Sequence, residues 1–291
     1  MNLATPSAVR EIINKYGFRL RKSLGQNFLI DANVRDKIVA ASGVDADCGA
    51  LEIGPGIGAL TQGLAAAAKK VVAVEIDKAL PPVLTEVLSG CENVKIICGD
   101  IMKIDLRDLI ASEFGGMPVR VAANLPYYIT TPVIMKLLED AAPIKSITVM
   151  VQKEVAERMT AAPGGKDYGA LSVAVRYRAK PRILFHVEQS CFMPQPKVAS
   201  AVIRLDVMPE PAAAVKSEEL FFAVVRAAFG QRRKTLVNAL LGGGVAGLDK
   251  AELEKIVDFM GLPPAVRGEA LSVAEFGELS NMIFEKSVDK T

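Results

Sequence analysis

The chain has 291 residues and a mass of 31.0 kDa, is 51% apolar and has a mean hydropathy of +0.28. That length allows one large or two unequal domains with a sizeable core, and the composition excludes a disordered chain. Its 35 basic and 33 acidic residues sum to +2, a total that by itself gives no reason to expect a nucleic-acid partner.

No apolar run approaches the ~18 residues of a membrane span. The first ten residues lack a basic stretch followed by an apolar core, so neither a membrane segment nor a secretory signal is expected. Cys48, Cys91, Cys98 and Cys191 form no CxxC pair. This excludes a zinc ribbon and a disulfide framework, and predicts reduced, mostly buried thiols in a cytoplasmic protein. His186 is the only histidine, so His-based triads and multi-His metal sites are excluded and no metal is expected.

The distribution of charge is more informative than its sum. Residues 1–26 carry five basic side chains, Lys22 among them, against Glu11 alone; residues 176–182 and 226–234 carry four each and no acid. These islands hold 13 of the 35 basic residues and one of the 33 acidic ones, leaving −10 on the rest of the chain. Each alone reads as a solvated face; three together predict a polyanion-binding surface if the fold gathers them.

In chain order, residues 6–16 read as a short amphipathic helix. A loop follows over 17–29, and then a helix capped by Asp31 and running to about residue 42. Short runs at 50–53, 70–75, 94–98, 120–123 and 146–151 are apolar on both faces, as strands of a covered parallel sheet should be. Helical stretches at 59–68, 80–88, 106–112 and 132–139 alternate with them. This alternation predicts an α/β fold with a doubly wound, Rossmann-like, mostly parallel sheet. Residues 182–187 and 200–207 read as two added strands forming a hairpin around the proline-containing loop 192–196. The stretch 208–214 reads as a linker. Beyond it every signal is helical, at 217–229, 232–241, 250–260 and 272–284, which predicts a catalytic domain over 1–208 and a small helical domain over 209–291.

Gly54, Gly56 and Gly58 lie where the first strand of this sheet turns into a helix, and there they let a ligand approach the backbone. A glycine-rich turn serves NAD, FAD and S-adenosylmethionine (SAM) equally, and a tight turn without a ligand is the plain alternative. Glu75 ends the next strand, where a carboxylate can accept both ribose hydroxyls. Asp100 ends the one after, where it can accept from an adenine amine. The second acid favours SAM. Asp77 reads as a helix cap, and Glu52 as either structural or an indirect ligand.

Asn124-Leu-Pro-Tyr-Tyr-Ile-Thr-Thr131 follows the fourth of these strands. An adenine amine is a poor nucleophile because its lone pair is delocalised into the ring, so its methylation needs acceptors that hold the amine and an aromatic surface for the base. Asn124 and the carbonyl of Leu125 supply acceptors, Pro126 stiffens the loop, and Tyr127 can stack on an extruded base. Phe192, far away in sequence, can reach the other face of that base or pack in the core.

At these residues the chain resembles the ribosomal RNA adenine N6-dimethyltransferases, and within them the enzymes acting on small-subunit (16S) RNA. The resemblance is carried by residues 22–29, 52–58, Glu75, Gly99-Asp100, 124–131, 192–200 and 229–236, in the family's order; Gln195 stands where the family commonly has proline. The resemblance implies that Asn27 and Leu29 close over SAM, and that Gly54 meets its methionine part, Glu75 its ribose and Asp100 its adenine. Asn124 would meet both cofactor and target amine. It also implies two methyl transfers to each of two adjacent adenosines in the 3′-terminal hairpin, on the small subunit during its assembly, by a monomeric enzyme. Lys22, Arg226, Arg232, Arg233 and Lys234 are then expected to contact RNA, with Arg232–Lys234 beginning a helix. A large-subunit RNA methyltransferase of the macrolide-resistance type and an assembly factor whose methylation is secondary remain alternatives. An NAD-dependent dehydrogenase lacks an identifiable acid/base.

Overall fold

Apolar runs bounded by glycine turns become central strands because only a position covered on both faces can bury them. The computed structural model describes residues 1–17, 25–140 and 142–288, so Lys22 lies outside the described residues. The strands are β1 (Phe28–Leu29), β2 (Gly49–Ile53), β3 (Lys70–Glu75), β4 (Val94–Cys98), β5 (Val119–Asn124), β6 (Ile144–Gln152), β7 (Ala179–Val187), β8 (Phe192–Met193) and β9 (Ser200–Val207). The helices are α1 (Pro6–Tyr16), α2 (Ala32–Ser42), α3 (Ala59–Ala67), α4 (Leu80–Val87), α5 (Leu106–Phe114), α6 (Thr130–Glu139), α7 (Lys153–Thr160), α8 (Ala170–Arg178), α9 (Glu218–Gly230), α10 (Leu236–Gly242), α11 (Lys250–Phe259) and α12 (Val273–Val288).

Seven strands form one sheet in the order β4-β3-β2-β5-β6-β9-β7, and β1 pairs with β8 in a separate ribbon. Neighbours from β4 through β6 are parallel. The last strand in sequence, β9, runs antiparallel to β6 and lies between it and β7. The expected pair of added strands is therefore present, with the later strand inserted and β7 left at the edge. Lys180 and Arg182 are exposed on that edge strand, where long cations discourage pairing with another chain.

Helix ends follow the sequence closely. Asp31 accepts from Asn33 N and Val34 N, Ser217 from Leu220 N, and Asp249 forms a capping box with Glu252. Only Cys48 of the four cysteines is buried, and Cys98 is exposed, so the expectation of mostly buried thiols is corrected. No helix among the described residues is long and apolar enough to cross a membrane.

The chain divides into two compact units, residues 1–156 with 180–207, and residues 157–179 with 208–291. A boundary at 208 placed 157–179 in the first unit; the structure groups them with the helical one. The reason lies in two aromatic residues. Tyr168 donates its hydroxyl to Leu271 O at 2.9 Å, and Tyr177 stacks on Phe221 with ring centroids 4.4 Å apart. Both tyrosines are fully buried, and the helical unit supplies their apolar surroundings.

Candidate functional site

The chain leaves β2 for β3 and β4 on one side and then returns for β5 and β6 on the other. Such a reversal opens a crevice at the carboxyl ends of the central strands. A cleft there is walled by Asn27, Leu29, Gly54, Gly56, Glu75, Asn124, Leu125, Pro126, Tyr127 and Phe192, all singled out by the sequence. Gln26, Phe28, Glu52, Ile76 and Tyr128 also line it. Asp77, which does serve the turn before α4 by accepting from Ala79 N, also accepts from Gln26 Nε2 at 3.0 Å.

The glycine turn is set by its backbone. Gly54 N extends the β2–β3 ladder to Val74 O at 2.9 Å, and both Gly54 (φ +67°) and Gly56 (φ +59°) are in the left-handed region. A Cβ on Gly56 would stand 3.0 Å from the Phe28 ring, so a side chain there would intrude on the cleft wall. Gly58 sits differently from the other two glycines. It lies outside the cleft walls, and a Cβ on it would meet Leu84, Leu88 and Leu3 within 3.4 Å. The left-handed φ of +89° and the packing of these leucines both exclude a side chain at Gly58.

Glu75 is buried at the end of β3, with Oε1 accepting from Asp77 N at 2.7 Å and Oε2 from Gly56 N at 3.3 Å. Burial pushes its carboxyl up, and these two backbone donors oppose the shift. Glu52, only 1% exposed, has Oε2 without a hydrogen-bond partner and faces the same cleft. Burial pushes its carboxyl up to about 8, opposed by Thr61 and reinforced by the charge of Glu75. The cleft therefore presents an unfilled buried acceptor that the alternation of β2 in sequence could not distinguish from a structural one. Asp100 is not in the cleft wall. Its Oδ1 accepts from Met102 N at 3.0 Å, capping the short turn after β4. Burial first, and then the charges of Asp100 and Glu75, raise the phenol of Tyr128.

Asn124 is the last residue of β5, in register with Met150 of β6, and Leu125 N continues the ladder to Met150 O at 3.2 Å. Its Nδ2 donates to Asn27 O at 3.2 Å, which leaves Oδ1 as the acceptor of that amide. Pro126 O accepts from Ile129 N and Thr130 Oγ1, closing the turn into α6. Phe192, 2% exposed, reaches the cleft because β8 pairs antiparallel with β1, matching Leu29 with Phe192 and Phe28 with Met193. The two residues of β1 point to opposite faces. Phe28 packs among Leu3, Ile12, Ile57 and Leu84; Leu29 packs among Ile38, Leu60 and Phe192.

In the helical unit, Arg226, Arg233 and Lys234 are exposed. Arg232 is a correction of emphasis: its guanidinium donates to the carbonyls of Lys166 and Tyr168 and pairs with Glu269 at 3.2 Å. These basic residues do not begin a helix either. Thr235 is extended (φ −61°, ψ 156°), and α10 starts at Leu236, whose amide donates to Val266 O. Arg176 and Arg178 are similarly engaged, with the carbonyls of Ala161 and Thr160 and with Glu218.

The family described as ribosomal RNA adenine dimethylase matches residues 17–277. A ribosomal RNA small subunit methyltransferase A from Geobacillus thermodenitrificans is 54% identical over 284 residues, 97% of each chain. Among solved structures, a dimethyladenosine transferase from Plasmodium falciparum is similar with a TM-score of 0.69 and 26% identity, over 90% of this chain and 98% of that one. The 23S rRNA methyltransferase ErmE is similar with a TM-score of 0.64 and 26% identity, over 89% and 100%. With the glycine turn, the buried acids and Asn124 gathered in one cleft, and with a match that spans both units, the chain belongs to the ribosomal RNA adenine dimethylase family.

Proposed function

We infer that the protein is a SAM-dependent methyltransferase that dimethylates the N6 amines of two adjacent adenosines in the 3′-terminal hairpin of small-subunit (16S) ribosomal RNA, in the cytoplasm during small-subunit assembly. The observation that carries this reading is the placement of Asn124 at the carboxyl end of β5, in the same cleft as the glycine turn and Glu75.

The residues present fit the cofactor. Gly54 and Gly56 leave a cradle that a Cβ on Gly56 would fill, Glu75 offers a buried carboxylate for ribose hydroxyls, and the unpartnered oxygen of Glu52 awaits a donor. Asn27 and Leu29 close the wall beside them, and Asp100, whose charge reaches Tyr128 in that wall, would take the adenine amine. When bound, SAM supplies a methyl group activated by its sulfonium. The protein's own residues hold the target. Asn124 Oδ1 and Leu125 O accept from the adenine amine and favour its pyramidal form, while Tyr127 and Phe192 offer aromatic faces to an extruded base. No strong general base is needed, which suits a cleft without histidine.

Arg226, Arg233 and Lys234, all exposed, would grip RNA phosphates. The small-subunit target is supported by the 54% identity of a relative named for that subunit.

The test is to incubate the protein with methyl-labelled SAM and undermethylated small subunits, large-subunit RNA, or no RNA, and to map the modified base. Dimethyladenine at two adjacent positions of the small-subunit 3′-terminal hairpin is expected. Label in large-subunit RNA would favour the 23S-type reading, and no transfer would overturn both.

A further inference from the structure

Ser200, the first residue of β9, is fully buried and in register with Gln152 of β6. It is absent from the cleft wall, yet its Oγ shares a 2.6 Å hydrogen bond with Oη of Tyr127, which is in the wall. We propose that Ser200 is a positioning residue that holds the Tyr127 ring as the stacking platform for the target adenine, an inference that rests on the adenine-methylating reading above.

A tyrosine on a loop can swing about two side-chain torsions, and the backbone after β5 holds only its Cβ end. The Ser200 bond holds the opposite end, so both ends of the ring axis are fixed before a base arrives. The partner is well chosen for this purpose. Ser200 sits on a central strand whose register with β6 leaves it no freedom to follow the ring, and a short hydroxyl has few conformers of its own. The same loop begins at Phe192, the other aromatic wall of the cleft, and its β8 end is clamped by β1. One segment, 192–200, therefore sets both aromatic surfaces, Phe192 directly and Tyr127 through Ser200. Rate depends on how the amine is aimed at the methyl carbon, and a small misplacement of the reacting atoms carries a large rate loss.

The experiment is a double-mutant cycle with Ser200→Ala, Tyr127→Phe and the pair. Three quantities are measured: kcat for transfer to undermethylated small subunits, SAM affinity by calorimetry, and thermal melting. Each single variant is expected to lower kcat about tenfold, and the pair is expected to lower it by the same tenfold instead of multiplying the losses. SAM affinity should stay within about twofold, because Ser200 does not touch the cleft. Wild-type kcat in Ser200→Ala, multiplicative losses in the pair, or a parallel loss of SAM affinity would each overturn the proposal. If Ser200→Ala fails to fold, Tyr127→Phe removes the same bond from the exposed side, and wild-type turnover in that variant is equally fatal. Failure of the unmodified protein to methylate small subunits would strike the functional reading, whereas normal transfer with indifferent variants would strike this inference alone.

Discussion

The side-chain amide of Asn124 donates to the main-chain carbonyl of Asn27 at 3.2 Å, joining residues 97 apart in sequence. Asn27 is itself held by its Nδ2 on Gly25 O at 3.1 Å, and its neighbour Gln26 reaches Asp77 beyond β3. The segment before β1 therefore ties the β5 side of the cleft to the β3 side. It also fixes the orientation of the Asn124 amide, with Nδ2 on the Asn27 carbonyl and Oδ1 turned away from it.

Asn124→Ala is expected to lower methyl transfer by at least about a hundredfold, the scale seen when one aligned polar group is removed from a reaction centre. Thermal melting should change little, since Asn124 is only half-buried at a strand end. Labelled transfer measured beside a melting curve checks this, and wild-type turnover would refute the assigned role.

Gly56→Ala should weaken SAM binding by tenfold or more and destabilise the fold by about 1–2 kcal/mol. The left-handed φ of +59° disfavours alanine, and the new methyl would press on Phe28, whose strand clamps Phe192. Gly58→Ala should cost comparable stability, through Leu84 and Leu88, with a smaller effect on SAM affinity. Calorimetry and melting on the two variants separate the cleft glycine from the packing glycine.

Glu52 gives stability a pH dependence of definite sign. Its folded-state carboxyl titrates near 8, above its ordinary 4.5, so the folded protein keeps a proton that the unfolded chain releases. Its contribution is fully present below about 4.5 and is lost as pH rises toward about 8. Glu52→Gln should therefore melt like the parent near pH 5 and clearly higher near pH 8.5. Parallel curves at the two pH values would contradict the burial argument.

Charge reversal at Arg233 and Lys234 should weaken RNA binding and lower the slope of log affinity against log salt by about 1 per lost phosphate contact. Arg232→Glu should behave differently. It removes bonds to Lys166 O and Tyr168 O and places two acids together at Glu269, so a lower melting temperature accompanies any loss of affinity. Filter binding across a salt series, with melting curves, distinguishes the two effects.

Much of both units was legible because the signals are local. The strands β2 to β6 are short apolar runs, α1 keeps its expected span, and Asp31, Ser217 and Asp249 cap where short polar side chains before an apolar pattern should. Helices α7 and α8, which flank a glycine-containing link, were not anticipated. The assignment of residues 157–179 failed because the core that accepts Tyr168 and Tyr177 depends on partners 44 to 103 residues away. The basic islands were legible as charge, but not as free charge. Arg176, Arg178 and Arg232 look identical in sequence to Arg233, and only their acceptors show that they brace the helical unit.

The sequence by itself determined the chemistry on offer: a glycine turn, carboxylates at strand ends, an acceptor-rich loop with aromatic residues, and no histidine base. These depend on residue type and local spacing, which the chain carries openly. Only the tertiary structure decided which of these groups meet. It removed Gly58 from the cleft, brought Glu52 in with an unpartnered oxygen, turned Asn124 through Asn27, and set Tyr127 on Ser200. Those relationships depend on sheet order and on the pairing of β1 with β8, where the chain closes distances of 73 to 165 residues, and no local pattern encodes them.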